Sequence, residues 1–198
     1  MRSFDRWKLP PPQNSFVFDL EQDYSLEIGA GVGLHAIRKA QNAPNTVHIA
    51  IERTKDKFAK LQNRQKSHGL ENLIVVHDDA INWLCHNGLP NCINRIFIPY
   101  PNPYMKNKNA RFPFMPFNHW MLSCLKPQGL LEFRTNISQY QTEILEEYVD
   151  TWGLKLLVSN SLEKNQLTND YKATTHFEKK YLERGETCFL IQFLKPSF

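Results

Sequence analysis

The stretch Leu26-Glu27-Ile28-Gly29-Ala30-Gly31-Val32-Gly33 decides the reading of this chain, because it sets three glycines at alternate positions where an apolar run gives way to an amphipathic one. Glycine tolerates the left-handed backbone of a tight strand-to-helix turn, and its missing Cβ lets backbone N–H groups approach a ligand. The same glycines also suit a plain turn, so the surroundings have to decide. Outward from this point, short apolar runs alternate with helical segments: 25–28 then 34–42, 47–51 then 55–68, 73–76 then 80–86, 95–98 then 116–125, and 130–133 then 139–152. That alternation predicts right-handed β-α-β units around a parallel sheet, an α/β fold. Two further strand-like runs, 154–159 and 187–193, flank a polar insertion from Asn160 to about Gly185 that shows no clear crossover helix. Residues 1–23, broken by Pro10-Pro11-Pro12, predict an extended arm on a single domain spanning 24–198.

Composition narrows the class. A chain of 198 residues with 41% hydrophobic content builds one core, not two. A net charge of +4 favours a polyanionic partner only mildly, so clustering has to carry that argument. Cys85, Cys92, Cys124 and Cys188 form no C-x-x-C pair and have no histidine pair at ligand spacing, which predicts reduced thiols and no metal site. No signal-peptide pattern and no membrane-length apolar run is present, so a cytoplasmic protein is expected.

Two further carboxylates follow the glycine turn at strand ends. Glu52 ends the second run, about 20 residues on, where an acid can accept both hydroxyl protons of a ribose. Asp79, followed by Ala80, ends the third, where it can accept from an adenine amino group. Glu27 beside the glycines is a further cofactor candidate, or a residue that serves the turn. Together with Gly29, Gly31 and Gly33 these groups converge on the crevice where open α/β sheets bind ligands.

With these pieces in place the chain resembles the bacterial tRNA (guanine-N7)-methyltransferase family from about Tyr24 to Phe193. The resemblance runs through LEIGAGVG (26–33), HIAIE (48–52), NLIVVHDDA (72–80), IPYPNPYMKNKNAR (98–111), LKPQGLLEFRTN (125–136) and TTHFEKKYLERG (174–185). It implies a Rossmann-like class I methyltransferase with a mostly parallel seven-stranded sheet and a C-terminal antiparallel pair. It also implies S-adenosyl-L-methionine held by Glu27, Glu52 and Asp79, and tRNA as substrate. The family's F-P-D-P-W motif, with a lysine two residues on, is altered: Tyr100 stands for the aspartate, Asn102 for the tryptophan and Tyr104 for the lysine. The family's T-D becomes Thr135-Asn136, whereas Thr175 and Glu178 are kept.

The resemblance therefore casts Tyr100 and Glu178 as catalytic candidates and Tyr104, Asn136, Thr175 and Glu178 as substrate contacts. Guanine N7 already presents an in-plane lone pair, so its methylation rests on alignment and needs no deprotonation. Lys106, Lys108 and Arg111, interleaved with Tyr104 and Phe112, suit phosphate contacts beside the pocket, although such cations can equally be a solvated surface. The same holds for the cations of segment 55–68. Two rival readings stay open. Asn102-Pro103-Tyr104 resembles the N-P-P-Y loop of amino methyltransferases, and loss of the family Asp and Lys fits a catalytically silent paralogue.

Overall fold

The computed structural model describes residues 4–168 and 171–197. Seven strands form one sheet: β1 (Tyr24–Ile28), β2 (Val47–Ile51), β3 (Leu73–Val76), β4 (Ile93–Pro99), β5 (Leu125–Thr135), β6 (Lys155–Leu162) and β7 (Cys188–Leu194). Their order is β3-β2-β1-β4-β5-β7-β6. The pairs from β3 through β5 are parallel, and β7 is antiparallel to both neighbours. This is the Rossmann-like arrangement with the antiparallel closure. Helices α1 (Leu34–Asn42), α2 (Lys55–Ser67), α3 (Ala80–Asn87), α4 (Asn118–Cys124), α5 (Ser138–Glu146) and α6 (His176–Glu183) complete it. All of β1 is buried, as a central parallel strand covered on both faces must be. Chain order reverses between β1 and β4, and the crevice beyond their carboxyl ends is the ligand position of this architecture.

Three segments depart from the expected outline. β5 begins at Leu125, well before the apolar run 130–133, because Gln128 takes φ 61° and the backbone pairs on through Lys195 on either side of that kink. α5 stops at Glu146 and passes into a π-helical turn, Glu147–Thr151, short of the continuous helix over 139–152. The polar insertion contains α6. Its start is a Thr175 hydroxyl accepting from the Glu178 N–H, and its large apolar pair, Phe177 and Tyr181, lines the crevice. A search for a core-facing stripe therefore passes over it.

The arm is knitted to α3. Arg6 donates to the Cys85 carbonyl, the Gln13 N–H to Asp78 and the Phe16 N–H to Asn87. Phe16 and Phe18 pack on Trp83 and Tyr24, and Phe18 enters the core. All four cysteines are buried thiols. Among the described residues no helix is long and apolar enough to cross a membrane.

Candidate functional site

The strand ends frame a cleft of about 580 Å³ and, beside the glycine turn, a smaller pocket of about 160 Å³. Gly29, Lys57, Pro99 and Phe177 line both, so the two are continuous. Gly29, Gly31 and Gly33 adopt φ of 78°, 59° and 89°, a region that penalises a side chain. Gly33 has a second reason: a Cβ there would meet the Leu61 side chain of α2 at 2.2 Å. Glu52 is 6% exposed and set at the wall of the larger cleft. One of its oxygens accepts from the Gly31 N–H at 2.8 Å and the other from the Thr54 N–H at 2.7 Å. These bonds orient the carboxylate while each oxygen keeps a lone pair for a ligand. Asp79 caps α3 through the Ile81 N–H at 2.9 Å, and its other oxygen meets Arg53 at 3.3 Å. Asp79 and Ala80 line the larger cleft, and Gly31, Gly33 and Glu27 the smaller pocket.

Glu27 lines the smaller pocket from the end of β1. It is 1% exposed, and one oxygen takes the ring nitrogens of His35 at 2.7 Å and of His48 at 3.2 Å. Burial alone would raise its carboxyl, but the charge and hydrogen bond of His35, with those of His48, outweigh it and hold it at about 2.

On the acceptor side the structure separates the candidates. Tyr100, Tyr104 and Asn136 line the larger cleft and Thr175 the smaller pocket. Glu178 lines neither. Fully buried, it accepts from Tyr171 (2.6 Å), Thr174 (2.7 Å from the N–H, 3.1 Å from the hydroxyl), Arg134 (2.5 Å) and Tyr100 (3.3 Å). Burial would push its carboxyl up; Arg134, then the Tyr171 and Thr174 bonds, bring it below the ordinary value. The candidate contact is thus a buried anchor behind the wall, because its lone pairs are already taken. The same bonding keeps Tyr100 neutral: burial, then the Glu178 charge, drive its phenol far above the ordinary range.

Arg111 likewise leaves the phosphate-facing set. It is 4% exposed, pairs with Glu143 and donates to the carbonyls of Tyr104 and Met105, so it braces the loop from within. Lys106 and Lys108 are exposed outside the cleft wall, with the Lys108 ammonium 4.3 Å from the Phe114 ring centroid. The Asn102 side-chain oxygen accepts from the Tyr104 N–H at 3.1 Å, an engagement within its own turn.

Several cleft residues escaped the motif reading. Phe177 and Tyr181, one turn apart on α6, meet Tyr100 at centroid distances of 6.3 and 5.5 Å and make an aromatic wall. Their i,i+4 spacing was the available signal. Lys57 enters from α2, its ammonium 5.8 Å from the Phe177 ring centroid.

A model of the family described as "putative methyltransferase" matches residues 21–191. The chain is similar to the tRNA (guanine-N(7)-)-methyltransferase of Myxococcus xanthus, at 27% identity over 94% of this chain and 90% of that one. The Mycoplasma mobile protein of the same name gives 26% over 93% and 90%. Among solved structures, the 16S rRNA methyltransferase KamB superposes with a TM-score of 0.65, at 14% identity over 94% of this chain and 98% of that one. The M. jannaschii protein TYW2, in complex with AdoMet, gives 0.57, at 16% identity over 89% of this chain and 70% of that one. The cofactor of this family is S-adenosyl-L-methionine, and Glu52 and Asp79 in the larger cleft, with the glycine turn at the smaller pocket, are the groups here with the chemistry to hold it. With the matching model spanning almost all of the chain, from strand β1 to strand β7, the protein belongs to this putative methyltransferase family.

Proposed function

We propose that this methyltransferase modifies N7 of a guanine in tRNA. The observation that carries the reading is the acceptor-side wall, Tyr100, Phe177 and Tyr181 beside Asn136, in the same cleft as Glu52 and Asp79. When bound, the cofactor supplies an electrophilic methyl group. The N7 lone pair needs no base, so the chain's task is alignment. A flat purine stacks on the aromatic wall, as splayed-out RNA bases do. Asn136 donates through its Nδ2 to Glu186 at 2.7 Å, which leaves its carbonyl to accept from the guanine Watson–Crick edge. Tyr100 acts through its ring, and Glu178, with Arg134, is a positioning residue that holds it. Thr175 fixes α6, and hence Phe177 and Tyr181, at the cleft. Tyr104 at the cleft mouth and the exposed Lys106 and Lys108 contact the RNA around the base, the lysines through phosphates.

The test is transfer of a radiolabelled methyl group to bulk tRNA, followed by nucleoside analysis. Labelled 7-methylguanosine is expected. Label in another nucleoside would move the reading to a different RNA methylation, and no label in tRNA despite cofactor binding would favour a catalytically silent relative.

A further inference from the structure

Among the described residues one buried side-chain nitrogen or oxygen lacks a hydrogen-bond partner, Nε2 of His35. The ring is 3% exposed, sits in the first turn of α1 and lines the smaller pocket. Its Nδ1 lies 2.7 Å from an oxygen of Glu27, which is ionised and can only accept, so Nδ1 carries a proton. His48 reaches the same oxygen at 3.2 Å, and its own Nδ1 meets the Ser25 hydroxyl at 2.5 Å. Nε2 of His35 is then either a bare lone pair or, on a doubly protonated ring, an N–H. A buried cationic N–H with no acceptor costs more than an unused lone pair. A second cation is also close: the Lys39 ammonium lies 4.3 Å from the centroid of Phe97, whose ring meets the edge of His35 at 5.1 Å. On the singly protonated ring, with Nδ1 donating to Glu27, Nε2 is an acceptor without a partner on a side chain that lines the pocket.

We infer that His35 Nε2 accepts a hydrogen bond from the α-ammonium group at the amino-acid end of the cofactor, an assignment that rests on S-adenosylmethionine being the ligand of this site. The pocket is small, opens from the glycine turn, and adjoins the cleft whose Glu52 and Asp79 suit the ribose and adenine. An ammonium is the ligand's strongest donor and matches a lone pair made more basic by a carboxylate behind the ring, the same logic by which outer carboxylates tune metal-bound histidines. Glu27 then acts through His35 as a positioning residue.

Calorimetry with two probes tests this: S-adenosylhomocysteine, and the analogue that keeps its carboxylate but lacks the amino group. Wild type is expected to bind the analogue about tenfold or more weakly, the range of one hydrogen bond to a charged group. His35→Phe should lose a similar factor for S-adenosylhomocysteine while binding the analogue nearly as wild type does. His35→Gln, which offers a carbonyl acceptor, should recover part of the loss. The 15N resonance of His35 Nε2 should shift with S-adenosylhomocysteine and stay in place with the analogue. Equal wild-type affinity for both probes overturns the inference and leaves the cofactor assignment standing, and this comparison needs no variant to fold. Equal losses for both probes in a folded His35→Phe also overturn it. A wild type that binds neither probe overturns the cofactor assignment and the inference together.

Discussion

Glu52 and Glu178 are both nearly inaccessible carboxylates within reach of one cleft, yet they end up with opposite capacities. Glu52 is held by two backbone N–H groups at the cavity wall, and each of its oxygens keeps room for a ligand hydroxyl. Glu178 stands one layer back and accepts five hydrogen bonds from Arg134, Tyr100, Tyr171 and Thr174. The difference lies in what surrounds each acid. A strand end feeding a glycine turn supplies few donors and leaves the carboxylate open, whereas a capped helix packed on an arginine-bearing strand saturates it. The cofactor side is built to receive hydrogen bonds, and the acceptor side presents π faces over a closed polar network.

The largest test of that contrast is Glu178→Ala. Removing the acid leaves Arg134, 8% exposed, with Glu132 as its remaining ionic partner and strands two tyrosines and a threonine. Breaking a buried pair in this way should lower unfolding free energy by about 3–5 kcal/mol, measured by urea denaturation. A loss below about 1 kcal/mol, with methyl transfer abolished in a folded protein, would return Glu178 to the substrate contacts.

A comparable network backs the cofactor side, and acid should reveal it. Glu27 titrates at about 2 in the folded chain against an ordinary value of 4.5. Its contribution is therefore complete above about pH 4.5 and disappears as pH falls towards 2. The shift corresponds to about 3 kcal/mol. Glu27→Gln should flatten the acid limb of stability between those pH values. A limb unchanged from wild type would show that the two histidines do not hold the carboxylate charged.

The contrast also explains what the sequence could reveal. Glu52 and Asp79 were legible because the parallel β-α-β pattern alone fixes where strand ends go, and a strand end is where the cleft is. Arg111 and Glu178 were not, since nothing local announces that Glu143 will reach Arg111 from α5 or that Arg134 will reach Glu178 from β5. Partners 32 and 44 positions apart come together only through the tertiary fold. Helix α6 was hidden for a related reason: its aromatic face looks into a cavity, so the usual core-facing stripe is weak, although the Thr175 cap and its partner Glu178 were present in the sequence.

Glu52→Ala should act more on ligand affinity than on the fold. It removes an acceptor for the ribose hydroxyls and two backbone contacts that shape the turn. Affinity for S-adenosylhomocysteine should fall by roughly 1.5–3 kcal/mol, the range for hydrogen bonds to a charged group, as read by calorimetry. Unchanged affinity would mean that Glu52 serves the Gly31 turn alone and that the cofactor side is as closed as the acceptor side.

The smallest expected effect is also the sharpest on mechanism, because it separates the ring of Tyr100 from its hydroxyl. Tyr100 is held with φ 52° and its N–H bonded to the Arg134 carbonyl at 2.8 Å, so the backbone presents the side chain whatever its tip does. The hydroxyl contributes one bond to Glu178, at 3.3 Å, and Glu178 keeps four others without it. Tyr100→Phe should therefore cost only about 0.5–1.5 kcal/mol of stability and leave methyl transfer within a few-fold of wild type. Tyr100→Leu removes the π face that meets Phe177 and Tyr181, and should lower transfer much further while cofactor affinity holds. If Phe is as damaging as Leu, the hydroxyl takes part in the reaction and the stacking account fails. If both variants match wild type, the acceptor base lies elsewhere in the cleft, and Tyr104 and Asn136 become the residues to vary next.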